Sequence, residues 1–116
     1  MNENSLPKEK KYQTLKEFYP FYLSQHRNDI NQKLHLIGTT LVTMIIILSL
    51  LYGKYGALLL LPFVGYGFAW VGHFFFEQNK PATFKYPGFS LVCDFIMCTE
   101  LYLQLFGFIN KLNTIY

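Results

Sequence analysis

The chain carries three histidines, His26, His35 and His73, among few other side chains able to do chemistry in an apolar setting. Two acidic residues stand near them in sequence or in expected depth. Glu77 follows His73 by four residues, and Asp94 lies seven residues past Pro87. On an α-helix an i, i+4 pair shares one face, so His73 and Glu77 are expected side by side. Imidazoles combined with carboxylates suit Fe(II), Zn(II) or Mn(II), and two or three imidazoles with one carboxylate form a typical non-haem iron set. Two other uses of the same residues are haem ligation by histidines on facing helices and simple hydrogen-bonding anchorage at a membrane interface.

Such residues can act together only if the chain brings them together. The 116 residues are 52% hydrophobic and 19% aromatic, and only 15% are charged. A soluble domain usually carries about 25% charge. This composition excludes a disordered or nucleic-acid-binding arm, and the length allows one domain. Residues 36–53 and 55–76 contain no charged side chain at all. An all-α integral membrane protein is therefore expected, with spans near 34–52, 57–76 and 88–109. The last segment carries Asp94 and Glu100 and reads either as one span or as a hairpin broken near Thr99, giving three to four transmembrane helices. Ahead of them, residues 12–26 place Tyr12, Leu15, Tyr19, Tyr22 and Leu23 at helical spacing. They read as an amphipathic interfacial helix bent or restarted at Pro20, its tyrosines in a headgroup belt. Residues 1–11 are polar and expected to be disordered, leaving 12–116 as a single membrane-embedded domain. Cys93 and Cys98, five residues apart, fall on different helix faces and read as small buried thiols. Residues 1–33 show no apolar signal-peptide region, so the spans are expected to act as their own insertion signals.

Basic residues orient this chain. Six of the ten Lys and Arg residues lie within the first 33 positions, and the 77–87 loop holds Lys80 and Lys85, against only Lys54 in the 53–56 turn. By the positive-inside rule the amino terminus and the 77–87 loop face the cytoplasm. Spans one and two are then antiparallel neighbours. His35 lies 18 residues before Gly53, and His73 lies 17 after Gly56. At about 1.5 Å per residue they reach the same depth. His26, nine residues before His35, belongs to the same face. Gly65, Gly67 and Gly72 of the second span would let neighbouring helices approach closely.

The stretch His26-x-Asn28-x-x-Asn31-x-x-Leu34-His35-x-x-Gly38, followed by Gly72-His73-x-x-x-Glu77-x-x-Lys80-Pro81-Ala82, resembles the 2-hydroxy-fatty-acid dioxygenase family, over roughly residues 18–105. The chain is similar to its short, bacterial-type members; characterised fungal members act in phytosphingosine breakdown at the endoplasmic reticulum. The resemblance implies an Fe(II)-dependent dioxygenase that uses O2 to remove one carbon from a 2-hydroxy fatty acid. It implies a multi-pass protein of a bacterial inner membrane, or of the endoplasmic reticulum in a eukaryote. The family's histidines fall on His26, His35 and His73, and Glu77 matches its acidic position. Glu77 or Asp94 would ligate the metal or support a ligand. Asn31, Lys33 and Lys80, with Lys85, become the candidates for holding the acidic head group, while the acyl tail lies along spans one and two. Partners are thus the bilayer, a 2-hydroxy fatty acid and O2, and no nucleic acid. The alternatives are a non-enzymatic lipid-binding or scaffold protein and a small haem protein.

Overall fold

The computed structural model describes residues 12–109. The expected disordered stretch 1–11 lies outside the described residues. Four α-helices follow in order: α1 (Leu15–Ser24), α2 (Asp29–Leu51), α3 (Leu61–Val71) and α4 (Pro87–Leu105). A 3-10 segment, Tyr55–Leu60, leads into α3, and a π-helical segment, Gly72–Glu77, continues it. Three helical runs are long and apolar enough to cross a membrane: Asp29–Leu51, Tyr55–Glu77 and Pro87–Leu105. The third is one unbroken helix, so the hairpin alternative falls away and the described residues hold three spans. Thr99, where a break was considered, keeps its hydroxyl on the Phe95 carbonyl one turn back, as a helical threonine can.

Local chemistry sets each helix boundary. Thr14 caps α1 by accepting from the Glu17 amide, while Glu17 accepts from the Gln13 amide, a variant of the Thr-x-x-Glu capping box. Pro20 sits within α1 without breaking it. Asn28 caps α2 by accepting from the amides of Ile30 and Asn31, so this helix begins five residues before the expected span. At its other end Gly53 adopts φ +66° and the Lys54 amide returns to the Ser49 carbonyl, which closes the helix in a Schellman turn.

α1 does not present its tyrosines to a headgroup belt. Phe18, Tyr19, Tyr22 and Leu23 are buried and form a core with Cys93 and Met97 of α4. Phe18 is fully enclosed, with the rings of Tyr86 and Phe89 centred 5.0 and 5.6 Å away. Aromatic area removed from water here outweighs the interfacial preference of tyrosine. The outer faces of the spans stay apolar and exposed, including Phe74, Phe75 and Phe76, as a lipid-facing surface requires. Cys93 and Cys98 are both free and buried.

The close approaches between spans fall at Gly38 and Gly72 rather than at Gly65 or Gly67. A Cβ added at Gly38 would lie 2.9 Å from Phe68 Cβ, and one at Gly72 would fall on the Asn31 side chain, 2.9 Å from its Cγ. A Cβ at Gly67 meets nothing within 4 Å. Gly72→Ala is therefore expected to cost about 1–3 kcal/mol by overpacking. Gly67→Ala should be neutral or mildly stabilising, since alanine favours helix by about 1 kcal/mol. Thermal melts of both variants in detergent micelles check this; equal melting temperatures would contradict the packing at Gly72.

α3 and α4 both pack on α2 but hardly touch each other. A cavity of about 670 Å³ occupies the space between them.

Candidate metal centre

Three elements deliver the histidines. His26 sits in the link between α1 and α2, His35 on the second turn of α2, and His73 in the π-helical segment. All three are buried, and a set of their ring nitrogens, one from each, lies within 4.8 Å of one another. The rings stand edge to face, with centroids 4.5–5.0 Å apart and interplanar angles of 79–84°.

Each ring commits its Nδ1 to an acceptor behind it. His26 Nδ1 lies 2.6 Å from the Tyr22 carbonyl, His35 Nδ1 3.0 Å from Asp94 Oδ1, and His73 Nδ1 2.7 Å from Asn79 Oδ1. A carbonyl, a carboxylate and an amide oxygen can only accept, so each Nδ1 carries the proton and each Nε2 keeps a lone pair. The Nε2 atoms of His35 and His73 then face each other at 3.2 Å with no hydrogen between them. His26 Nε2 is buried with no hydrogen-bond partner among the described residues. Two opposed lone pairs and a third unsatisfied nitrogen are unfavourable unless a cation lies among them. The donor set therefore fits a divalent transition metal held by three imidazoles. Its backing acceptors are those that orient metal-bound histidines in general. Burial, and then the two neighbouring imidazoles, hold the His26 pKa well below its ordinary value, which keeps this ring neutral. His26 stands edge-on against both other rings.

The carboxylates occupy other places. Asp94 lies behind His35, where Oδ1 also takes the Tyr22 hydroxyl at 3.4 Å and Oδ2 takes the Thr39 hydroxyl. The Tyr22 phenol is pushed well above its usual pKa by burial and by the Asp94 carboxylate, so it stays protonated and donates. Glu77 follows His73 within the π-helical segment but is not grouped with the three histidines. Glu77 instead accepts from the Asn28 amide and from Asn31 Nδ2, tying the π segment to the start of α2. Asn31 is buried in that seam, and Lys33 and Lys80 are exposed. None of these three lines the cavity.

Asn79, Thr39 and Tyr22 carry supporting roles that spacing did not reveal. Gln78 takes φ +60°, and the Asn79 amide returns to the His73 carbonyl at 3.0 Å. That reversal brings Asn79 Oδ1 to His73 Nδ1, while Asn79 Nδ2 donates to the Gln25 carbonyl beside His26. The only sequence signal was the presence of Asn79 just past an apolar run.

The histidines stand at one end of the cavity, together with Tyr22, Thr39 and Asp94. The other end is walled by Val42 and Ile46 of α2 and by Leu61, Pro62 and Gly65, from the start of the second span. From His35 to Ile46 is eleven residues, roughly 16 Å, or half of a hydrocarbon core about 30 Å thick. α4 contributes walls only near the histidine end, from Pro87 to Phe95, so the far half opens sideways between α3 and α4. Among the described residues no lysine or arginine lines it.

The sequence matches the family described as 2-hydroxy-palmitic acid dioxygenase Mpo1-like over residues 12–105. Neither the curated proteins nor the solved structures yield a match. The matched stretch contains every element that builds the histidine cluster and its cavity, and the chain belongs to that Mpo1-like family.

Proposed function

We propose that this protein is a membrane-embedded Fe(II) dioxygenase that shortens long-chain 2-hydroxy fatty acids by one carbon. The observation that carries the reading is the inward convergence of three Nε2 atoms whose Nδ1 partners are all acceptors. His26, His35 and His73 would hold the metal, with Asp94 and Asn79 fixing the orientation of two of the rings. Iron, when bound, would activate O2 and offer a template for the substrate's carboxylate and hydroxyl, the net electrons that reduce O2 coming from the cleaved substrate.

The remaining work falls to the protein. Apolar walls from α2 and α3 take the acyl tail over about one leaflet's depth. The sideways opening lets that tail arrive from lipid without crossing water. Burial of the histidines keeps bulk water from the reacting end. Lys33 and Lys80, exposed outside the cavity, give that end a positive potential that favours acidic head groups. On the expected topology this end faces the cytoplasm.

An oxygen electrode tests the reading. Fe(II)-loaded protein in lipid vesicles should consume O2 when a long-chain 2-hydroxy fatty acid is added, and not when the unhydroxylated acid is added. Equal, negligible consumption with both would contradict it and favour a lipid-binding role.

A further inference from the structure

The mouth of α4 offers a second polar feature to the same cavity. Pro87, Gly88 and Ser90 of its first turn line the space that holds the histidines. Tyr86, at the cap position, gives no side-chain hydrogen bond to the helix start. The Ser90 amide is the first to be satisfied, by the Tyr86 carbonyl at 2.8 Å. The amides of Gly88 and Phe89 precede it and find no acceptor within the helix. Ser90 adds a distinct observation. Its side chain is 95% buried, and its hydroxyl has no hydrogen-bond partner among the described residues. A buried, unpartnered hydroxyl in the first turn of a 19-residue helix, at its positive end, suits an anion.

The cavity needs one. A fatty acid brings a carboxylate, yet no lysine or arginine among the described residues lines the space and Asp94 adds a negative charge of its own. Asp94 is already occupied by His35, Tyr22 and Thr39. Ser90 precedes it by one helical turn, about 6 Å nearer the mouth. We propose that the first turn of α4, through the Gly88 amide and the Ser90 hydroxyl that line the cavity, is the subsite that binds the substrate's carboxylate. This assignment rests on the fatty-acid reading above and adds the residues that recognise the acid. It assigns head-group selection to Ser90 and the Gly88 amide rather than to the surface lysines.

The test compares an acid with its neutral ester. Anaerobic Fe(II)-loaded protein in micelles is titrated with 2-hydroxyhexadecanoic acid and with its methyl ester. The wild type should bind the acid at least about tenfold more tightly, the usual scale for a hydrogen bond to a charged group. Ser90→Ala should lower the acid's affinity several-fold, leave the ester's affinity within about twofold, and melt no lower than the wild type, because the lost hydroxyl has no partner to strand. Gly88→Asp, at a position where an added Cβ meets nothing within 4 Å, places a carboxylate at the same mouth and should repel the acid more than the ester. Three outcomes overturn the subsite alone: equal binding of acid and ester by the wild type, unchanged acid affinity in Ser90→Ala, or equal losses for both ligands. Binding of neither ligand by the wild type overturns the fatty-acid reading and the subsite with it.

Discussion

Replacing His35 or His73 by alanine is expected to remove iron and activity together. Each substitution deletes one of three converging nitrogens and leaves the other two too few to hold a divalent metal against water. Losing even a group that only orients a ligand typically costs 10–100-fold in metal affinity. Loss of the ligand itself should therefore exceed about 100-fold. Elemental analysis after dialysis should find near-stoichiometric iron in the wild type and almost none in either variant, with helical content unchanged by circular dichroism. Full iron retention in both variants would refute the assignment. His26→Ala should behave alike, since its Nε2 is the one buried ring nitrogen without any partner.

The second large effect is expected at Asp94. Its carboxylate accepts from His35 Nδ1 at 3.0 Å and gathers the hydroxyls of Tyr22 and Thr39. Asp94→Asn keeps the shape of the side chain but removes the charge that strengthens the bond to His35 and fixes that ring's orientation. Iron affinity should fall about 10–100-fold, and activity should return when Fe(II) is raised in proportion. His35→Ala should not recover in this way. A metal titration followed by the oxygen-consumption rate separates the two. Unchanged affinity in Asp94→Asn would show that the carboxylate does not support the centre.

Much of this centre was legible before any coordinates, and the reason is geometric. Two uncharged segments joined by a short turn must be antiparallel, so counting from Gly53 and Gly56 placed His35 and His73 at one depth. Their Nε2 atoms lie 3.2 Å apart. The same counting anticipated three apolar helices, and it could not choose between one span and a hairpin at 88–109. Composition alone cannot show whether Thr99 is satisfied within a helix. Glu77, expected beside His73, also accepts from Asn28 and Asn31 at the start of α2, partners that spacing does not reveal. No rule of spacing flags the π-helical turn at Gly72–Glu77, whose first residue packs closely against Asn31 of α2. The same turn returns Asn79 to His73, a contact that only the folded chain creates. Aromatic periodicity in residues 12–26 correctly marked an amphipathic helix. Its apolar face turned out to serve α4 rather than the lipid headgroups, because a lone sequence does not say which apolar surface will cover another.

The remaining polar groups divide by position. Glu77 and Asn31 hold α2 to the π segment, outside the cavity. Tyr22, Thr39, Asp94 and Asn79 stand around the imidazoles. In a chain with 15% charge, each such group placed at depth carries a desolvation cost, and clustering them lets each satisfy another.

The central claim is that three histidines hold an iron that cleaves a 2-hydroxy fatty acid with O2. Mass spectrometry of the products tests it most directly. Protein purified without oxygen is loaded with Fe(II), supplied with 2-hydroxyhexadecanoic acid in vesicles, and exposed to isotopically labelled O2. The expected result is a product one carbon shorter that carries label from O2, formed by the wild type and absent in His35→Ala. No shortened product from the iron-loaded wild type across several chain lengths, or the same yield from His35→Ala, would contradict the claim.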